Sequence, residues 1–154
     1  MPNEGDAAPD VTLQMPDGAE RKLDSYRGKT LVLYFYPKDD TSGCTREAQD
    51  FSALAGDFAT AGAAIVGVSK DPPAKHGKFI AKYDLKVPLA TDADGSVTEG
   101  FGTWIEKSMY GRKYMGIDRA TFLIDGDGRI ARIWRKVKVP GHAEEVLAAV
   151  RALG

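Results

Sequence analysis

Three short apolar runs predict the strands at the centre of the fold. Segment 31–36 has the sequence LVLYFY, and segment 63–69 has the sequence AAIVGVS. Runs of this length without regular polar alternation are typical of strands that are buried on both faces. Segment 87–92 predicts a third strand, which Pro88 shortens. Together the three runs predict a sheet that is covered on both sides.

Between these runs, apolar residues recur three and four positions apart, which predicts helices. Segment 45–61 has such a face, and Gly62 is suited to end that helix. A second helix is predicted at 72–85, where proline opens it. A short helix is predicted at 95–104, and segment 141–154 predicts an amphipathic closing helix.

Two hairpins complete the predicted arrangement. Segment 120–134 has two strand-like runs around a Gly-Asp-Gly turn, and segment 8–29 predicts a small hairpin before the first buried strand. The alternating order of strands and helices predicts an α/β fold with a central mixed sheet, helices on both faces and an N-terminal hairpin extension. This order fits a thioredoxin-like fold, but it also fits other open α/β folds. Since no linker or repeat divides the chain, residues 1–154 are expected to form a single domain.

Charge and composition narrow the classes of partner. The chain has 21 basic and 22 acidic residues, with a formal net charge of −1. This balance gives no reason to expect nucleic acid or an anionic membrane as the main partner. No apolar run approaches the roughly 20 residues that span a bilayer, and segment 1–11 lacks the apolar core of a secretory signal. A cytoplasmic location is therefore expected.

Cys44 is the only cysteine, and the sequence predicts that it lies in the first turn of a helix that follows a buried strand. Open α/β proteins bind ligands at this end of a strand. The unpaired N–H groups and partial positive charge of a helix N terminus favour a thiolate, and Gly43 would let a small ligand approach the backbone. A lone cysteine is nevertheless most often an inert buried residue. The presence of a single cysteine also excludes an intramolecular disulfide and a Cys-x-x-Cys zinc site.

The residues around Cys44 form a recognisable pattern. Pro37, Thr41 and Cys44 have the spacing Pro-x-x-x-Thr-x-x-Cys, and Glu47 follows one helical turn later. The segment FYPKDDTSGCTREAQDF resembles the active-site signature of the peroxiredoxins, in particular the bacterioferritin comigratory protein or peroxiredoxin Q branch. GIDRATFLID resembles the family segment that supplies an arginine, here Arg119. The similarity extends from GDAAPDVTL to the closing helix. It implies thiol-dependent reduction of hydrogen peroxide and organic hydroperoxides on a thioredoxin-like fold, in antioxidant defence.

The resemblance implies a role for each residue of the pattern. The Cys44 thiolate would attack the peroxide and become a sulfenic acid. Arg119 would stabilise the thiolate and the charge that develops on the peroxide oxygens. Thr41 would align the peroxide, and Pro37 would shield the pocket from water. Glu47 would orient Arg119.

Each of these residues also has an ordinary structural explanation. Pro37 is explained equally well as the end of a strand, and Thr41 as an N-cap. Glu47 is favoured in a first helical turn by the helix dipole, and Arg119 can be a surface residue beside a strand. Only the joint arrangement around Cys44 favours the peroxidase interpretation.

The chain lacks the second cysteine that many members of this branch use to resolve the sulfenic acid. One usual position, five residues after Cys44, holds Gln49, which we interpret as a surface residue. Another lies near segment 77–83, which also has no cysteine. The resemblance therefore implies a one-cysteine mechanism in which thioredoxin, glutaredoxin or glutathione supplies the reducing thiol. A monomer is expected, and a weak dimer stays open.

Two other functions fit the same fold. A disulfide oxidoreductase needs a Cys-x-x-Cys pair, and Thr41 occupies the position of the partner thiol. A binding or chaperone-like module would not need Cys44. His76 and His142 have no histidine or cysteine nearby in the sequence, so no metal or other cofactor is expected.

Overall fold

The computed structural model describes residues 2–153. Its strands are β1 Thr12–Gln14, β2 Glu20–Lys22, β3 Thr30–Phe35, β4 Ala63–Ser69, β5 Leu89–Thr91, β6 Trp104–Met109, β7 Arg112–Ile117, β8 Ala120–Ile124 and β9 Ile130–Trp134. Its helices are α1 Ser42–Ala53, α2 Ala55–Thr60, α3 Pro73–Tyr83, α4 Ser96–Gly100 and α5 His142–Leu153, and a 3-10 turn spans Leu23–Tyr26. The first and last residues of the predicted domain, which include the end of the predicted closing helix, lie outside the described residues.

Seven strands form one mixed sheet in the order β2-β1-β5-β4-β3-β8-β9. β3, β4 and β5 are parallel, and β8 and β9 continue the sheet antiparallel on the other side of β3. The β1–β2 hairpin joins the opposite edge, next to β5. The predicted α/β fold with a mixed sheet and an N-terminal hairpin is confirmed. Within residues 2–153, no helix has both the length and the apolar character that a membrane crossing requires.

Side chains of β3 alternate between two apolar cores. Val32 and Tyr34 belong to the core that α1, α2, α3 and α5 cover. Leu31, Leu33 and Phe35 belong to the opposite core, which α4, the 3-10 turn and the N-terminal segment cover. Because both faces of β3 are buried, the strand has no polar alternation, and the loop that leaves its carboxyl end starts from a rigid base.

The structure departs from the sequence prediction in two helices. The predicted helix 45–61 is divided into two helices: α1 ends at Ala53, Leu54 is its C-cap residue, and α2 begins at Ala55. The predicted short helix 95–104 stops at Gly100, and Trp104 already belongs to β6.

The β6–β7 hairpin was not predicted. It forms a separate two-stranded sheet whose turn has φ 52° at Tyr110 and 79° at Gly111. Two-residue turns with positive φ at both positions favour Asn-Gly or Asp-Gly. A tyrosine at the first position therefore hid the usual hairpin signal.

The tight packing at Gly67 gives the first testable prediction. A Cβ atom at Gly67 in β4 would lie 2.6 Å from Tyr34 Cζ and 2.8 Å from Leu89 Cδ2. Gly67→Ala should therefore lower the free energy of unfolding, measured in urea, by about 1–3 kcal/mol through overpacking.

Gly77→Ala is the matched control. Gly77 lies within α3, and no atom comes within 4 Å of its added Cβ, so alanine should stabilise the helix by about 0.5–1 kcal/mol. Equal effects of the two substitutions would contradict the packing explanation.

Candidate active site

Cys44 lies on the first turn of α1, just beyond the carboxyl end of β3. Its side chain is only 2% exposed and packs into the core beneath α1. Thr41 is the N-cap residue of α1 by its backbone angles, φ −86° and ψ 156°. The first N–H groups of a helix have no partner within the helix, so this end of α1 offers a positive electrostatic environment to the sulfur.

Arg119 connects Cys44 to Glu47. Its Nη2 donates to Cys44 Sγ at 3.3 Å, and its Nη1 donates to Glu47 Oε1 at 2.6 Å. Arg119 immediately precedes β8, which pairs with β3, whereas the other two residues lie on α1. The fold thus brings together three residues that the sequence pointed to in two separate segments.

Gly43 makes room for the arginine. A Cβ atom at this position would lie 3.2 Å from Arg119 Nη2, the nitrogen that contacts the sulfur. The sequence suggested that Gly43 admits a ligand to the backbone. The structure gives a nearer reason, because a side chain here would press on the guanidinium that contacts Cys44.

Thr41 and Pro37 are both exposed and belong to the loop that leads from β3 into α1. The side chain of Thr41 does not cap α1, because its hydroxyl donates to the Lys38 carbonyl at 2.9 Å. With its hydrogen occupied, the hydroxyl oxygen can still accept a hydrogen bond from a ligand. Pro37 follows the buried Tyr36 and bends the chain after β3. The roles of Thr41 and Pro37 toward a peroxide stay predictions.

Burial and charge oppose each other at Glu47. Burial raises the pKa of Glu47 from its ordinary 4.5 to about 7, although the charge and hydrogen bond of Arg119 pull it down. Glu47 Oε2 is buried and has no hydrogen-bond partner among residues 2–153. Burial also lowers the pKa of Arg119, but the charges of Glu47 and Cys44 and the hydrogen bonds to them outweigh it, so that pKa is raised. The guanidinium is therefore the fixed charge of the site.

Tyr34 belongs to the same apolar core as Cys44, and sequence reasoning did not identify it. Its ring stacks on Phe51 of α1 with centroids 4.7 Å apart. Burial raises the pKa of its hydroxyl, and the nearby charges of Glu47 and Cys44 raise it further. The hydroxyl is therefore a neutral group within this core. It has no hydrogen-bond partner within the described part of the chain.

A second buried polar pair holds the loop between β3 and α1. His76 Nδ1 lies 2.6 Å from Asp39 Oδ2, and both side chains are fully buried. The other ring nitrogen, Nε2, donates to the Ala90 carbonyl at 3.0 Å, and the Tyr36 hydroxyl donates to Asp39 Oδ1 at 2.6 Å. Because a carbonyl can only accept, Nε2 carries a hydrogen. Asp39 thereby ties the loop before Thr41 to α3 and β5.

Sequence reasoning considered His76 only as a metal ligand and missed this pair. Asp39 and His76 are 37 positions apart, so no local spacing connects them. The available signal was an aspartate two positions before Thr41 and a histidine within the predicted helix. Gln49 is exposed, in agreement with its interpretation as a surface residue.

The geometry can be compared with known proteins. Residues 4–133 match the AhpC/TSA family. The chain is 46% identical over 143 residues to Peroxiredoxin Bcp of Xanthomonas campestris, which covers 93% of this chain and 89% of that protein. It is 48% identical over 147 residues to Peroxiredoxin Bcp of Bacillus subtilis, which covers 96% and 94% of the two chains.

Solved structures show the same similarity. A cysteine-to-serine mutant of Xylella fastidiosa PrxQ superposes with a TM-score of 0.94 at 39% identity, covering 99% of this chain and 98% of that one. The bacterioferritin comigratory protein of Xanthomonas campestris, whose alkyl peroxide reduction was studied in trapped intermediate and ligand complexes, has a TM-score of 0.89 at 42% identity. That match covers 96% of this chain and 99% of the other. Sequence and backbone therefore agree along nearly the whole length.

The buried pair generates a stability prediction. Asp39→Asn removes the carboxylate that faces His76 Nδ1, and breaking one partner of a buried pair typically costs about 3–5 kcal/mol. We expect a loss of this size in the free energy of unfolding measured in urea. The neighbouring variant Asp40→Asn is the control, because Asp40 pairs with Lys82 at the exposed surface. Its loss should be much smaller, and equal losses would show that the buried pair is not a stabilising contact.

The raised pKa of Glu47 generates a pH prediction. At pH values between the ordinary pKa of 4.5 and the raised pKa of about 7, Glu47 in the folded protein holds its proton more tightly than Glu47 in the unfolded chain does. This contribution favours folding at low pH and is lost as the pH rises through about 7. Relative to Glu47→Gln, the wild-type free energy of unfolding should fall by up to about 3 kcal/mol between about pH 4 and pH 8. A difference that stays constant with pH would mean that Arg119 offsets the whole cost of burial.

Proposed function

The chain belongs to the AhpC/TSA family and is a thiol-dependent peroxidase of the peroxiredoxin Bcp and PrxQ type, and we propose that Cys44 is its peroxidatic residue. The observation that carries this proposal is the 3.3 Å contact between Arg119 Nη2 and Cys44 Sγ. Family membership confirms the resemblance of the sequence. The roles of individual residues and the one-cysteine cycle are what we propose here.

In the first step, the Cys44 thiolate attacks one oxygen of the hydroperoxide. A sulfur–oxygen bond forms, the oxygen–oxygen bond breaks, and the released alkoxide or hydroxide takes up a proton. Cys44 becomes a sulfenic acid, and the product is an alcohol or water. Hydrogen peroxide and organic hydroperoxides both satisfy this scheme.

Arg119 stabilises the thiolate before the reaction and the charge that develops on the peroxide during it. Its charge favours the thiolate before the reaction, and its planar donors are close enough to follow the charge as it moves onto the peroxide oxygens. Glu47 holds one nitrogen of the guanidinium at 2.6 Å and thereby fixes its plane. Such fixed donors do not have to reorganise during the reaction.

Thr41 and Pro37 complete the proposed pocket at its rim. The hydroxyl of Thr41 would accept a hydrogen bond from the peroxide, because its own hydrogen is donated to Lys38. Pro37 would limit the access of water to the sulfur. Gly43 keeps the space that Arg119 occupies beside Cys44.

The second half of the cycle needs an external thiol, because Cys44 is the only cysteine in the chain. The thiol attacks the sulfenic acid, releases water and forms a mixed disulfide, and a second thiol then restores Cys44. Thioredoxin, glutaredoxin or glutathione would supply these thiols, and no cofactor takes part. We propose that residues 1–154 act as a single-domain monomer in the cytoplasm.

The proposed role of Cys44 is tested by oxidation of the reduced protein with one equivalent of hydrogen peroxide in the presence of dimedone. The intact mass should show a sulfenic acid adduct on Cys44 within seconds, and Cys44→Ser should show none. A wild-type protein that is unmodified after minutes would overturn the proposal.

Arg119 is tested by the rate of the same step. Arg119→Ala should lower the second-order rate constant for Cys44 oxidation about 10²–10³-fold, as is typical when one stabilising donor is removed. Arg119→Lys should recover part of the rate, because it keeps the charge but not the planar pair of donors. Arg151→Ala, at an exposed position of α5, should have the wild-type rate. An unchanged rate in Arg119→Ala would show that the contact with the sulfur is not used.

A further inference from the structure

The β6–β7 hairpin holds most of the large apolar side chains that are exposed in residues 2–153. In residues 2–153, five large apolar side chains are exposed, and four of them lie on this hairpin: Met109, Tyr110, Tyr114 and Met115. They lie within seven consecutive positions around one turn. A concentration of this kind on a small element is typical of an interaction surface.

Folding does not explain the tyrosine at the tip. Tyr110 is 99% exposed and has φ 52°, a left-handed conformation that costs a bulky residue about 1–2 kcal/mol. Asparagine or glycine would suit this turn better. The chain thus carries an aromatic ring at a strained position where it gains no burial.

One face of the hairpin combines two basic side chains with two large exposed apolar side chains. In the cross-strand register Lys107 is opposite Tyr114 and Met109 is opposite Arg112, so these four residues share one face. We call it the inner face. Burial lowers the pKa of Lys107, and the charge of Arg119 lowers it further. The charges of Asp118 and Cys44 raise it but do not offset this effect.

The chain connects the base of the hairpin directly to the segment of Arg119. β7 ends at Ile117, and only Asp118 separates it from Arg119, the residue that contacts the sulfur. Asp118 N donates to the Thr103 carbonyl at 2.7 Å, which fixes the base of the hairpin. The base of the hairpin is therefore fixed one residue away from Arg119 along the chain.

The charge of the hairpin differs from that of the chain. Segment 104–117 contains Lys107, Arg112 and Lys113 but only one acidic residue, Glu106, which gives a net charge of +2, whereas the whole chain has −1. Tyrosine, methionine and arginine are enriched in protein interfaces, and tyrosine and arginine are frequent hot spots. A basic, aromatic surface of this kind is complementary to an acidic protein surface.

We propose that the inner face and tip of the β6–β7 hairpin dock a protein dithiol whose surface is acidic around its nucleophilic cysteine. This inference rests on the proposed function, because it names the class of reductant that reaches Cys44. A small thiol needs no docking surface, whereas a protein has to contact the rim in order to bring its thiol to a sulfur that is 2% exposed.

The two thiols of the docked partner supply the two electrons that reduce Cys44 sulfenic acid to the thiol. The first thiol of the partner attacks Cys44 sulfenic acid, forms a mixed disulfide and releases water. The second thiol of the partner then attacks the partner's own sulfur in that bond. Cys44 leaves as a thiol, and the partner leaves with an intramolecular disulfide. A dithiol therefore supplies both electrons from one docked molecule.

The test compares a protein dithiol with a small thiol on the same oxidised protein. Cys44 is first oxidised with one equivalent of hydrogen peroxide, and dimedone trapping of a sample confirms the sulfenic acid. The second-order rate constants for its reduction by reduced thioredoxin and by glutathione are then measured for the wild type, Tyr110→Asn and Arg112→Glu. Tyr110→Asn suits the turn, so the hairpin should fold at least as well as in the wild type.

For the wild type, we expect a larger rate constant with thioredoxin than with glutathione. Each variant should lose at least about 10-fold with thioredoxin and less than about 2-fold with glutathione, with a larger effect of Arg112→Glu at low salt. Arg151→Glu, on α5, should behave as the wild type with both thiols.

Two results would overturn the docking proposal: a ratio of the two rate constants that is the same in all variants, or a wild type that glutathione reduces faster than thioredoxin does. Failure of the first oxidation to give sulfenic acid would instead count against the proposed function, so the two failures are distinguishable.

Discussion

The site depends on a single guanidinium that is shared between a carboxylate and a sulfur. Arg119 donates from one nitrogen to Glu47 and from the other to Cys44, and it lies just before β8, the strand that pairs with β3. The contact with Glu47 fixes the plane of the guanidinium, and Gly43 leaves it the necessary space. Each of these residues is therefore constrained by the position of the same group. The chemistry that we propose at the sulfur depends on this geometry.

The surrounding fold positions both partners of this contact, the thiol of Cys44 and the guanidinium of Arg119. β3 is buried on both faces, so the start of its following loop is rigid. Asp39 then holds the loop from within, through Tyr36 on one side and His76 on the other. On the other side of the contact, β8 pairs directly with β3 and carries the segment of Arg119. The thiol and the arginine are thus positioned from the same central strand.

Local patterns were sufficient for the central strands, most helix positions and the placement of Cys44 on a first helical turn. They were not sufficient for contacts between distant segments. Arg119 was identified because its segment resembles a known family, whereas Asp39 and His76 were missed because their contact spans 37 positions. The β6–β7 hairpin was missed because Tyr110 occupies a turn position where asparagine is usual. Gly43 was selected because it would admit a ligand to the backbone, whereas its close approach to Arg119 could be found only from the position of a side chain that is distant in sequence.

The presence of one thiol limits how much oxidation each molecule can store. With Cys44 as the only cysteine, the chain cannot hold an internal disulfide. In the proposed cycle, its oxidised form therefore remains a single modified sulfur until an outside thiol reacts with it. The oxidised fraction of a population then reflects two competing encounters, one with peroxide and one with reductant. When the supply of reductant falls, that fraction rises even at constant peroxide. A protein of this design therefore registers the balance between the two reactants in the cell, and not the amount of either one alone.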